Sequence, residues 1–114
     1  MKIPNPGNKE NEPFKDTKIK VYVDRDLEDL IPGFLANRNR DILSIMAALE
    51  RQDYTTIETL GHWMKGAGAG YGFEELSEIG KRLEQAAGAA DRTQIQNAIH
   101  DLEQYLNHID IQYE

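Results

Sequence analysis

The stretch Asp53-Tyr-Thr-Thr-Ile57-Glu-Thr-Leu60-Gly61-His62-Trp63-Met64-Lys65-Gly66-Ala-Gly68-Ala69-Gly70-Tyr-Gly72-Phe73 decides how this chain is read. Asp53 is placed to cap a helix that runs to about Ala69. At about 100° per residue, Ile57, Leu60, Gly61, Met64 and Gly68 form one face, all within about 60° of Ile57. On the same wheel His62 falls about 140° from Ile57 and Gly66 about 180°. The imidazole is therefore expected to point out of the core. Its neighbours one and two turns away are Thr55, Glu58, Thr59, Lys65, Gly66 and Ala69, and four of these six are small. A glycine inside a helix costs ~1 kcal/mol relative to alanine. Close helix packing accounts for Gly61 and Gly68 on the inner stripe but not for Gly66 on the outer face. A bare patch beside an exposed His and Lys lets another surface come close to the ring, and a neutral imidazole is a usable nucleophile. Lys65, one turn on, can sit near anything attached to that ring.

Working outward, the same period continues on both sides. Asp26 is an expected N-cap, with Glu28 and Asp29 in the positive first turn. Leu27, Leu30, Ile31, Phe34 and Leu35 form one face, and Pro32 is early enough to be tolerated. Asn37 and Asn39 mark an expected break, after which Ile42, Ile45, Met46 and Leu49 carry the stripe to about Arg51. Beyond the glycine-rich run, Phe73, Leu76, Ile79, Gly80, Leu83 and Ala87 make another stripe, with Gly88 as its stop. Asp91 and Gln94 have capping-box spacing. Ile95, Ile99, Leu102, Leu106 and Ile109 make the last stripe. Four amphipathic helices joined by short connections, plus a shorter piece before them, predict an all-α fold. The architecture expected is an up-down-up-down antiparallel four-helix bundle with a short additional N-terminal helix. Ile19, Val21 and Val23 alternate with Lys18, Lys20 and Tyr22 as a strand would, but no second convincing strand stands out to pair with them. The division expected is a flexible or extended N-terminal segment over residues 1–23 and a bundle domain over 24–114.

Length and charge agree with one small domain. The chain has 114 residues, and its formal charge is 13 Lys+Arg minus 20 Asp+Glu, or −7. Residues 1–20 hold five Lys and three acids (+2), so residues 21–114 hold eight basic and seventeen acidic side chains (−9). That balance speaks against a nucleic-acid binder, which needs a basic face. With no Cys there is neither a disulfide framework nor a thiolate metal site. The first residues carry no apolar leader core, and no apolar run approaches the ~18 residues of a membrane span. A soluble, cytoplasmic, monomeric protein is expected.

The run from His62 to Phe73 resembles the signature of histidine-containing phosphotransfer (HPt) domains of bacterial phosphorelays. That signature has a His, an apolar residue at +2, Lys at +3, Gly at +4 and Gly at +10, matched here by His62, Met64, Lys65, Gly66 and Gly72. Leu76, Ile79 and Leu83 fit its downstream apolar positions, and the resemblance covers roughly residues 24–110. It implies a stand-alone phosphoryl carrier, a phosphotransfer protein with a phosphohistidine intermediate rather than an independent catalyst. His62 would take a phosphoryl group from an aspartyl-phosphate on a response-regulator receiver domain and pass it to another receiver, or back. A hybrid histidine kinase is the other partner implied. Lys65 would stabilise the phosphoryl group. Gly66, with Thr59 and Ala69, would leave the surface open for docking, and Gly72 would permit the turn into the next helix. The chain itself would bind no cofactor and no metal; Mg²⁺ would come with the receiver. Where several family members carry Gln 22 residues after the His, this chain has Glu84. A carboxylate there would repel a phosphoryl group unless Lys81, Arg82 or Lys65 compensates, and Glu58 raises the same question. A local basic surface of Lys65, Lys81 and Arg82 around His62 is expected.

Rival readings fare less well. The glycines lack the G-x-x-x-x-G-K-[ST] order of a phosphate loop and follow no strand. His100 and His108 are not spaced as a helical metal pair and both face away from the last apolar stripe, so solvated positions are expected. Trp63 is expected at a helix seam, and Phe34, Tyr54, Tyr71 and Phe73 in the core or at the bundle ends. The alternative from another class is a helical scaffold that binds or sequesters a receiver or kinase without being phosphorylated, though such a protein has no need of the His.

Overall fold

The computed structural model describes residues 18–114. In chain order these form β1 (Ile19–Val23), a 3₁₀ helix (Arg25–Leu30), α1 (Ile31–Glu50), α2 (Tyr54–Tyr71), α3 (Glu74–Gly88), α4 (Arg92–His108) and β2 (Ile109–Tyr113). The described residues are mostly helical, with four α-helices and one short strand pair. Consecutive helices pack on one another, and α1 also meets α4, so the four enclose a common core.

Local chemistry sets the helix ends. Asp53 caps α2, accepting from Thr56 N–H at 3.1 Å and from the Thr56 hydroxyl at 2.7 Å, and Asp91 caps α4 through Gln94 N–H at 3.1 Å. At the other end of α2, Gly72 takes the left-handed conformation (φ 88°), and Phe73 N–H donates to Gly68 C=O at 2.7 Å. Those are the elements of a Schellman stop, and glycine enters that region without a Cβ penalty. The same bond pattern ends α3, where Asp91 N–H reaches Ala86 C=O at 2.8 Å. There the left-handed residue is Ala90, two positions past the glycine expected to stop the helix.

The first third of the chain departs from the sequence expectations. No break occurs at Asn37 and Asn39; α1 runs through both. Asn39 donates back to Leu35 C=O, and Arg40 and Arg38 bond Asn37 and Asp41 one turn away, so the polar side chains are satisfied along the helix surface. The short N-terminal helix is a single 3₁₀ element running directly into α1, capped by Asp24 rather than Asp26. Leu30 and Met46, assigned to the apolar face, are exposed.

The unforeseen element is β2. Ile109, read as the end of the last helical stripe, opens a strand that pairs in parallel with β1, Val21 opposite Ile111 and Val23 opposite Tyr113. The ladder continues at its end, Glu114 N–H to Val23 C=O at 3.0 Å and Arg25 N–H to Glu114 C=O at 3.0 Å. Val21 and Val23 are buried in the core. In the part of the expected N-terminal segment that is described, residues 18–23, Ile19–Val23 thus form an extended strand joined to the folded body; residues 1–17 lie outside the described residues.

Ile45, Ile57, Met64, Phe73, Leu76, Ile79, Leu83, Ile95 and Leu102 are each essentially inaccessible, and the core holds no buried polar side chain among the described residues. Phe34 stacks on Tyr71 (4.5 Å between ring centroids) and tilts against Phe73 (5.1 Å), closing the end of the core beside the α2–α3 turn.

Candidate functional site

Among the described residues α2 and α3 form the most extensive helix contact, and glycines let their backbones approach closely. A Cβ on Gly61 would lie 2.7 Å from Glu84 N and 2.8 Å from Gly80 O. A Cβ on Gly80 would lie 2.5 Å from Lys65 N, and one on Gly68 would lie 2.7 Å from Ser77 N. No side chain larger than hydrogen fits at these three positions without moving backbone. Ser77 Oγ–H fastens the seam by donating to Lys65 C=O at 2.8 Å.

This approach carries Glu84 of α3 to the outward face of α2. One carboxylate oxygen, Oε2, is 3.0 Å from His62 Nδ1; the other, Oε1, is 2.9 Å from Lys65 Nζ. The lysine bond, helped by the histidine, holds the Glu84 carboxyl below the usual carboxylate range even though partial burial pushes the other way. Glu84 is therefore ionised at neutral pH, and Nδ1 is the ring nitrogen that carries the proton and donates to it. Nε2, on the far side of the ring, is left as the lone-pair nitrogen. The His62 side chain is 62% exposed, as its helical phase required.

The helix surface beyond the ring, toward the end of α2, is bare. Gly66 has no atom within 4 Å of where its Cβ would stand, and neither has Gly70. Thr59 and Ala69 are exposed on the same helix; the Thr59 hydroxyl bonds back to Thr55 C=O at 3.1 Å rather than reaching outward. Gly72 lies at the helix end, away from this patch.

Several expectations need correction. Trp63 is not a seam residue: it is 65% exposed, next to His62. Its angle on the wheel, about 240° from Ile57, is on the outer side of the helix. The local basic surface does not form as expected. Lys65 is neutralised by Glu84, and Arg82 turns to α4, 2.9 Å from Asp101. His108 is half-buried rather than solvated, with Nδ1–H donating to Gln104 C=O at 2.7 Å. The contact that sequence reasoning missed is Glu84 on His62. Its signal is in the sequence, a carboxylate 22 residues after the histidine, but spacing along the chain gives the charge and not its contact with the ring. Among the described residues no group of three or more His, Asp or Glu side chains could hold a metal ion, and no helix is long and apolar enough to cross a membrane.

His62 is thus an exposed imidazole with one ring nitrogen held by a carboxylate, on a helix face that carries small residues one and two turns away. The Hpt domain family model matches residues 29–111, and the chain belongs to that family. Comparison with characterised proteins and with solved structures gave no significant match. The family is that of histidine phosphotransfer domains, which work with response regulators and kinases in phosphorelays.

Proposed function

We propose that this protein is a phosphoryl carrier with His62 as its phospho-acceptor. The observation that carries this is the orientation of the imidazole, with Nδ1 occupied by Glu84 and Nε2 left toward open surface. The Nε2 lone pair attacks phosphorus of an aspartyl-phosphate on a receiver domain. The P–O bond breaks with its electron pair returning to the receiver carboxylate, and the Nδ1 proton stays in place. The phosphorylated ring then holds a positive charge beside Glu84. A second receiver takes the group by the reverse sequence. Such a transfer needs alignment and charge neutralisation more than covalent assistance. Mg²⁺ and the acidic cluster that binds it belong to the receiver in this reading. Lys65, on the same helix face, rests its ammonium on Glu84 and can share it with the transferred group. Gly66, with Thr59 and Ala69, leaves room for the partner's surface.

The same reading takes the protein as a cytoplasmic monomer with receiver domains and a hybrid histidine kinase as partners. Its helices run up-down-up-down, as the short connections favour, and its folded domain spans residues 24–114 with β1 added from the preceding segment. The test is incubation with phosphorylated receiver domains. Acid-labile label is expected on the wild-type chain and none on His62→Gln. Stable binding of a receiver with no label transferred would favour the scaffold alternative, and label surviving in His62→Gln would move the site elsewhere.

A further inference from the structure

Given His62 as the acceptor, Glu84 has a consequence for the phosphorylated state. Its carboxylate touches Nδ1 at 3.0 Å while Lys65 holds its other oxygen at 2.9 Å, so the group is fixed from two sides. The other charged side chains on the two helices that flank the ring are Glu58, one turn earlier on α2, and Lys81, one turn before Glu84 on α3. Glu58 is displaced toward the end of α3, its Oε2 lying 3.4 Å from where a Cβ of Gly88 would stand. Glu84 is thus the charge in direct contact with Nδ1.

An N-phosphorylated imidazole exists in two forms. With a proton on the second nitrogen the ring is a cation, and loss of the phosphoryl group leaves neutral imidazole. Without that proton the leaving group is an imidazolate, a far poorer one. We propose that Glu84 is a positioning residue for the donating half of the transfer: its carboxylate keeps the proton on Nδ1 of phosphorylated His62 to higher pH, so that at neutral pH the phosphoryl group departs from an imidazolium. In that step an oxygen of the receiver's carboxylate supplies the electron pair of the new P–O bond. The N–P pair returns to Nε2, and Nδ1 keeps its proton, so no proton has to be delivered or removed. A glutamine at position 84 would lack the negative charge. It could accept from Nδ1–H through its carbonyl or donate to a bare Nδ1 through its amide, and so would tolerate both forms of the ring.

The test compares wild type, Glu84→Gln and Glu84→Asp, each loaded with phosphoramidate, with label at His62 defined by difference from His62→Gln. Loss of acid-labile phosphate is followed from about pH 6 to about pH 9, across the range of histidine titration. The wild-type and Glu84→Gln profiles should coincide at the acid end. The rate for Glu84→Gln should then fall away at a pH about one unit lower, as loss of an opposite charge at contact distance implies, making it about tenfold slower in the window between. Glu84→Asp should restore part of the difference. Ring ¹⁵N signals of the phosphorylated protein should show Nδ1 still protonated in the wild type at a pH where Glu84→Gln has lost that proton. Superimposable pH profiles and ring signals, with labelling intact, would overturn this role for Glu84 and leave the carrier reading standing. Absence of label on wild-type His62 under both donors would overturn the carrier reading and this inference with it.

Discussion

His62 and Tyr105 show how far a single side chain's setting decides its chemistry. His62 is left accessible, and Glu84 contacts one of its ring nitrogens, Nδ1. Tyr105 lies in α4 at the opposite extreme, 3% exposed. Burial, with the nearby Glu75 carboxylate adding to it, pushes the Tyr105 phenol up to about 12. An unfolded chain ionises tyrosine near pH ~10, two units sooner. Between those limits the unfolded state releases a proton that the folded state retains, so stability falls as pH rises. The slope this residue contributes is at most about 1.4 kcal/mol per pH unit. Tyr105→Phe keeps the ring and removes the ionisation. Urea unfolding at alkaline pH should show the wild type losing stability faster than the variant, with the two converging below pH ~10.

Elements meet in this protein through what glycine omits, and the glycines divide into two kinds. Gly80 sits where a Cβ would collide with the α2 backbone, 2.5 Å from Lys65 N. Gly80→Ala must push α3 off α2, at a cost of about 1–3 kcal/mol by analogy with overpacked cores. It should also draw Glu84 away from His62, so thermal unfolding and the His62 ring signals should change together. Gly66 sits where a Cβ meets nothing. Gly66→Ala should raise stability by about 0.4–1 kcal/mol, because it narrows the unfolded ensemble and favours helix. In the proposed function the same methyl group stands on the docking face, so transfer to a receiver should slow while the fold gains. Helical phase alone separated these classes: Gly61 and Gly68 were legible as inner and Gly66 as outer. The continuity of α1 was not legible. Asn37 and Asn39 are poor helix formers on propensity, but Asn39 bonds back to Leu35 C=O and Ile42, Ile45 and Leu49 bury their stripe, so packing overrides the local preference.

At the scale of the whole molecule, β1 and β2 join the segment before the first helix to the segment after the last. A parallel pair requires a long crossover, and here all four helices lie between the two strands. The pairing inserts Val21 and Val23 into the core beside the helices. Val23 is 1% exposed, so Val23→Ala removes two buried methyl groups and should cost about 2 kcal/mol with the cavity included. Tyr22, one residue away on the outer face, is exposed, and Tyr22→Ala should stay within about 0.5 kcal/mol of wild type. Urea midpoints of the two variants check the contrast. A similar effect for both would mean that the strand is not held as described. The alternation of Ile19, Val21 and Val23 was visible along the chain. Its partner was hidden because Ile109 also fits the last helical stripe, and a five-residue apolar alternation is ambiguous when it follows a helix directly.

The amino-acid sequence by itself determined the four apolar stripes, the outward phase of His62 and the small residues around it. These are periodic properties of one helix, set by residues three and four apart. Only the tertiary structure decided that Glu84 bridges His62 and Lys65, that Arg82 turns to Asp101, and that the two ends of the fold pair as strands. Each of these depends on the distance and register between two elements. For His62 that distance is set by the close approach of α2 and α3 at Gly61 and Gly80, which no periodicity within a single helix expresses.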